Sequence, residues 1–283
     1  MSKMTLSIVR DDGKTMAVNG TLWDILAAEG LDKPEISVFT QKAAVGDGDI
    51  VTGKRVRARS ISLTIKTPNS SLNEVLRRAA TSYFTPAHTF DLYVSRYGAQ
   101  RYAPACEIEG FEIPTEKRAK PITAKIDLLC PEGYFLSVDD FAQNLAGIEP
   151  RAGYPFVSTA DIGRIYGLYS FAETVDLTND GDAEAYCKAV FVAKGDVTNP
   201  KLIAGSGYVR ILGAMASGDT LIIDGRTKGV TLNGANIATQ IDKASSFDGI
   251  TFAIGRNSVG FAADVGANLL DVYVYYNKRY MGA

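Results

Sequence analysis

Apolar and polar residues alternate along much of the first half of the chain. The period of two marks "MTLSIVR" (4–10), "EISVFTQK" (35–42), "TFDLYVS" (89–95), "APACEIEGFEIP" (103–114) and "ITAKIDLLC" (122–130) as β-strands. "RVRARSISLTIKT" (55–67) reads as one longer strand whose phase changes. Val56 and Ala58 share one parity, and Ile61, Leu63 and Ile65 share the other. A bulge near Ser60 would return all five to one buried face.

One segment has the period of a helix instead. In "SLNEVLRRAATSYF" (71–84), Leu72, Val75, Leu76, Ala79, Ala80 and Tyr83 form a stripe at helical spacing. Ser71 and Glu74 have the spacing of a capping box, Glu74 precedes Arg78 by four residues, and Pro86 stops the helix. Residues 141–165 show no sustained period and contain Pro150, Gly153 and Pro155, so they read as a linker or domain entry.

From Tyr166 onward the pattern is all β. Turn signals such as Asn179-Asp180-Gly181, Asp224-Gly225, Asn233-Gly234 and Asp248-Gly249 separate short runs including "AYCKAVFVA", "TLIID" and "LLDVYVYY". Short strands punctuated in this way predict an antiparallel sandwich. In "SGDTLIIDGRTKGVTLNGANI" (217–237), "TLIID" and "GVTLN" pair as a hairpin, with Gly218, Gly225, Gly229 and Gly234 at turns. The chain is therefore read as mainly β: residues 1–140 a sandwich-like domain with one helix, 141–165 a linker, and 166–283 a second sandwich.

Composition adds constraints. The chain has 283 residues, 46% hydrophobic and 22% charged, enough apolar material for a core and no disorder signature. No apolar run approaches the roughly 18 residues of a membrane span. The N-terminus lacks the apolar centre of a secretory leader, so synthesis in the cytosol is expected. Net charge is −2 and both halves are near neutral, without the cationic excess that phosphate neutralisation requires. Cys106, Cys130 and Cys187 are widely spaced with no CxxC pair, which predicts isolated buried thiols rather than a disulfide framework or zinc site.

Candidate chemistry is sparse. The glycines of 217–237 do not follow the phosphate-loop pattern, and Asp219 and Asp224 lack the spacing of a calcium loop. His88 is the only histidine and has no nucleophile elbow beside it. Glu107, Glu109 and Glu112 could supply glycosidase carboxylates, but a solvated strand face is the simpler reading. No catalytic, cofactor or metal residues are assigned. Arg55, Arg57 and Arg59 share one side of their strand, either as a solvated face or as a ladder to acidic residues of a neighbouring subunit. The terminal strand is apolar and aromatic on both sides: Tyr273 and Tyr275 on one, Val272, Val274 and Tyr276 on the other. Packing within the domain accounts for this, with cover by another chain as the alternative.

The order of segments resembles a known family. The helix "SLNEVLRRAATSYF" is followed by "DLLCPEGYF", "NDGDAEAYCKAVFVAKGDVTNPKL", "GDTLIIDGRTKGVTLNGANI", "SFDGITFAIGRNSVGF" and a closing "VYVYYNKRYMG". Together they are similar to the distal tail (Dit) proteins of siphophages of Gram-positive bacteria. The resemblance implies an N-terminal belt domain that forms a hexameric ring and a C-terminal galectin-like sandwich. It implies a non-enzymatic hub in the virion tail that joins the major tail tube protein to the tail-tip (Tal) protein. Receptor-binding or baseplate proteins would attach outside, and DNA would pass through the lumen without being specifically bound. No cofactor and no membrane insertion are expected. Ring contacts are expected from residues 1–135, with Arg55, Arg57, Arg59 and the helix residues Glu74, Arg77 and Arg78 as candidates. The alternative is a sandwich module that binds host cell-wall carbohydrate.

Overall fold

The computed structural model describes residues 4–42, 47–68, 73–114, 121–139, 141–150, 167–171 and 174–283. Nearly all regular structure in it is β, and the chain divides into two compact units. The first comprises Met1–Val138 with Arg279–Ala283, and the second Asp139–Lys278. The last five residues thus lie with the first unit, although sequence order groups them with the second domain.

In the first unit the strands are β1 (Thr5–Arg10), β2 (Thr15–Val18), β3 (Asp24–Glu29), β4 (Ile36–Lys42), β5 (Asp49–Val56) and β6 (Arg59–Lys66). After helix α1 (Asn73–Tyr83) come β7 (Phe90–Arg96), β8 (Ala99–Glu112), β9 (Thr123–Cys130) and β10 (Phe135–Ser137). They pair antiparallel in the order β2-β1-β7-β8-β9-β6-β3, and the terminal strand Arg279–Tyr280 joins through β10. Strand β8 belongs to two ladders. Its first part pairs with β7 and its second with β9, and the change falls at Ala105 and Cys106. Ala105 takes a positive φ of 50° there, and its N–H donates to Asp91 Oδ1 at 2.8 Å. A bulge of this kind lets one strand turn a corner between sheet faces.

The alternating residues meet inside. Leu6 and Ile8, Ile61, Leu63 and Ile65, Phe90, Leu92 and Val94, and Ala124, Ile126 and Leu128 form one buried cluster with Leu76 and Ala80 of the helix. Burying such side chains contributes about 1.5–3 kcal/mol each. Ser71 and Leu72, half of the expected capping box and one end of the stripe, lie outside the described residues. Val75, placed on the apolar stripe by its spacing, is 66% exposed.

The helix is tied to the sheet by Arg10. Its guanidinium donates to the carbonyls of Ser82 and Tyr83, the last turn of α1, at 3.3 and 3.2 Å. A cation there complements the negative end of the helix, which has no basic residue of its own in that turn. Asp12 accepts from Arg10 Nε at 2.9 Å and orients it. Tyr83 completes the clasp by donating to the carbonyl of Ile8 at 2.6 Å. Burial raises the Tyr83 phenol to about 12, while the hydrogen bond from Arg10 holds the Asp12 carboxyl well below the usual carboxylate range.

The segment 55–67 corrects the bulge reading. It is two strands broken at Arg57 and Ala58, with β5 paired to β4 in a separate hairpin and β6 in the main sheet. Two glycines make room for this break. A Cβ on Gly30 would lie 2.2 Å from the Ser60 carbonyl oxygen, and one on Gly133 would lie 2.3 Å from that of Arg57. Both have positive φ, which glycine adopts without steric cost.

Cys106 and Cys130 form a disulfide across β8 and β9, and Cys187 is a buried free thiol. The expectation of three isolated thiols is corrected for the first two. They are 24 residues apart in sequence, and only strand pairing brings them together.

The second unit is a two-sheet sandwich. One sheet contains Phe141–Pro150, Gly167–Phe171, Lys188–Ala193, Thr220–Asp224, Gly229–Leu232, Ala235–Asn236 and Leu270–Tyr276. The other contains Thr174–Asn179, Lys201–Ala204, Gly207–Arg210 and Gly255–Ala262. Phe191 of the first sheet meets Phe261 of the second edge to face, at 6.5 Å between centroids. Val272, Val274 and Tyr276, which share one side of the terminal strand, are buried, and Tyr276 donates to the carbonyl of Thr178. Phe141–Pro150, expected to begin a linker, is a strand paired with Leu270–Tyr276; residues 151–166 lie outside the described residues.

The hairpin read from residues 217–237 forms as expected. Thr220–Asp224 pairs with Gly229–Leu232, and Leu232 pairs with Ala235 across Asn233 and Gly234. Those two residues have φ of 51° and 80°, the pair of positive values that a type I′ turn requires.

Acid titration tests the Arg10 clasp. Because the folded-state pKa of Asp12 is depressed, its contribution is present above the unfolded value of about 3.9 and is lost as pH falls through the folded one. The stability deficit of Asp12→Asn at neutral pH, read by denaturant unfolding, is therefore expected to shrink steadily below about pH 4.

Candidate functional site

The sequence names no catalytic constellation, and several of the carboxylates it singles out brace turns. Asp219 accepts from Asn233 Nδ2 and from the Ala216 N–H, both at 2.8 Å, and these bonds lower its pKa. Asp224 accepts from the backbone of Arg226 and Thr227. The carboxylates of 217–237 therefore brace turns. His88 Nδ1 lies 2.6 Å from Asp11 Oδ1, at the loop that enters β7. Glu107, Glu109 and Glu112 are all exposed on β8. Among the described residues, no cluster of three or more His, Cys, Asp and Glu side chains could hold a metal ion.

The features that stand out are surfaces of the first unit. Strands β4 and β5 form a two-stranded ribbon of their own. Ile36, Val38, Phe39, Ile50 and Val51 on it are each 51–60% exposed. They lie on both faces, since Ile36 and Val38 have one parity and Phe39 the other. A second apolar feature is a groove of about 460 Å³ bounded by Met16, Leu22, Trp23, Leu76, Ala79 and Tyr83, among others.

The expected arginine row does not form. Arg55 and Arg57 are exposed at the base of the ribbon, and Arg57 donates to Glu35 Oε1 at 3.0 Å and to Ser37. Arg59 is 2% exposed. Its Nε and Nη1 donate to the carbonyls of Gly133 and Gly30 at 3.1 and 2.9 Å, and Nη2 donates to that of Met281. The guanidinium carbon lies 4.7 Å from the centre of the Phe135 ring, and burial lowers its pKa to about 10. The chain break at Arg57 and Ala58 separates the three arginines, which the assumption of one continuous strand had placed together.

On the helix, Glu74 and Arg78 are exposed. Arg77 is half-buried and donates to the carbonyls of Ile113 and Pro114 at 3.1 and 2.6 Å. The exposed apolar residues of β5 were not singled out by their sequence.

Comparison with known proteins gives these surfaces a context. Residues 180–280 match the family model described as the C-terminal domain of the siphovirus-type tail component. No curated protein sequence matches the chain. The crystal structure of phage SPP1 Dit, a hub of the adsorption apparatus in phages infecting Gram-positive bacteria, is similar in fold. Its TM-score is 0.64 at 10% identity, covering 97% of this chain and 98% of that one. Baseplate structures of phage p2 in the activated conformation, with strontium and with calcium, give TM-scores of 0.55 and 0.52. Both are 11% identical and cover 98% of each chain. Residues 180–280 thus match the C-terminal domain of the siphovirus-type tail component by sequence, and the chain as a whole is similar in fold to phage SPP1 Dit.

Proposed function

We propose that the protein is the hub at the distal end of a phage tail and assembles there as a ring of identical copies, six by family resemblance. The ring joins the major tail tube protein to the tail-tip protein and leaves a lumen through which DNA passes. Receptor-binding or baseplate proteins attach to its periphery. The chain is made in the host cytoplasm and works in the virion.

The observation that carries this reading is the β4–β5 ribbon. A two-stranded hairpin is marginally stable in water by itself. One that exposes five large apolar residues on both faces has the composition of a surface that another chain covers. A copy that offers such a ribbon to a different surface of the next copy makes a heterologous contact, and a series of these closes into a ring. Arg55 and Arg57 at the ribbon base, with Glu74 and Arg78 on the helix, are the polar candidates for its rim. Arg59 and Arg77 serve inside the first unit, and Arg59 is withdrawn from the candidates.

Negative-stain imaging and light scattering test the assembly directly: rings with a central hole are expected, and a strict monomer well above micromolar concentration would exclude the role. The triple change Val38→Ser, Phe39→Ser, Val51→Ser is expected to abolish rings. Each copy should remain folded, since exposed substitutions alter the stability of a monomer by about 0.5 kcal/mol or less apiece. Rings that persist in this variant would move the contact elsewhere. The Glu35–Arg57 pair is exposed on both sides, so a double-mutant cycle in the monomer is expected to give a coupling below about 1 kcal/mol.

A further inference from the structure

The two cysteines joined across β8 and β9 occupy unusual places in the ladder. Cys106 directly follows the bulged Ala105, where β8 passes from β7 to β9. Cys130 is the last residue of β9, and its carbonyl accepts from the Gly133 N–H in the turn that follows. Both side chains are buried, at 0% and 1% exposure. Each therefore sits in a closed core beside a ladder end, Cys106 opposite Phe90 and Cys130 opposite Arg59, so a reagent reaches them only when the end of β9 opens.

The first unit has an extensive apolar core beside this bond. Small domains that need disulfides lack an adequate hydrophobic core. Here the cluster around Ile61, Leu63, Ile65, Leu92, Ile126 and Leu128 is fully formed. The third cysteine is unlike the other two: Cys187 lies in the second unit, fully buried, and burial pushes its thiol pKa up, which keeps it an inert thiol.

We propose that Cys106 and Cys130 form a conditional covalent brace, open as dithiol in a reducing compartment and closed by exchange with a low-molecular-weight disulfide. When the end of β9 opens, the Cys130 thiolate attacks one sulfur of the small disulfide and expels one thiolate. The Cys106 thiolate then attacks Cys130 of the mixed disulfide and expels the second. The small disulfide takes up two electrons, and the two protons lost by the cysteines convert the expelled thiolates to thiols. Closure of the ladder then shields the new bond from reductant. The biological setting rests on the virion reading, because a particle that leaves the cytoplasm passes from reducing to oxidising surroundings. The chemistry does not rest on it.

The test uses the full-length chain, purified under reductant and then treated with oxidised glutathione. Alkylation and peptide mass spectrometry are expected to show loss of free thiol at Cys106 and Cys130 only. The oxidised protein is expected to melt about 10 °C higher than the reduced one, given the loop that the bond closes. It should also resist reduction by glutathione until mild denaturant is added. The Cys130→Ala variant is expected to fold and to lose the redox-dependent shift, and Cys187→Ala is expected to keep it. Equal melting in both redox states, oxidation at Cys187, or failure of the reduced chain to fold would each overturn the proposal. Light scattering on the same samples separates the two readings. Rings without a redox shift would remove the brace alone, and a shift without rings would remove the hub alone.

Discussion

One buried guanidinium holds the first unit together at its most difficult point. Three chain segments far apart in sequence converge on Arg59: the turn after β3 through Gly30, the turn after β9 through Gly133, and the C-terminal tail through Met281. Each presents a backbone carbonyl that strand pairing does not use. A buried polar group without a partner costs about 1–3 kcal/mol, and of the three residues Gly133 is the buried one, so its bond to Arg59 matters most. Arginine satisfies all three because its donors form a rigid planar fork, and the Phe135 ring covers the remaining surface. The same site explains the close glycines, since Gly30 and Gly133 let the two turns approach the backbone that leads into β6.

This arrangement makes the unit discontinuous. Arg279 pairs with Glu132 and lies over Tyr134, Arg101 lies over Tyr280, and the Ala283 N–H donates to the Leu31 carbonyl. The "RYMG" ending is thereby used residue by residue. A Cβ on Gly282 would lie 2.2 Å from the Asp32 carbonyl oxygen, so the tail seats only because that position has no side chain. The second unit is an insertion between β10 and this tail, and its fold is closed by its own aromatic core. A scaffold protein gains from this division, because each unit can carry a separate set of contacts.

The surface proposed for assembly has the opposite character. Each guanidinium nitrogen of Arg59 donates to a backbone carbonyl, whereas the β4–β5 ribbon leaves its apolar side chains in water. Protein interiors and assembly interfaces bury the same kinds of residue. A strand that looks core-like in sequence and stands uncovered in the isolated chain is thus the expected trace of a contact completed by another molecule.

Alternation and turn chemistry were enough to determine the mainly β class, a helix within 71–84 and the hairpin of residues 217–237. All of these depend on neighbours within about ten residues, where side-chain parity and the φ preferences of Asn and Gly act directly. The resemblance to distal tail proteins was likewise legible, because it rests on the order of such local elements. Tertiary structure decided the break at Arg57 and Ala58, the burial of Arg59, the Cys106–Cys130 bond, the strand at 141–150 and the return of the last residues to the first unit. Each of these joins segments tens to hundreds of residues apart. Parity along one strand cannot say which carbonyl or sulfur will stand opposite, because strand pairing alone sets that geometry.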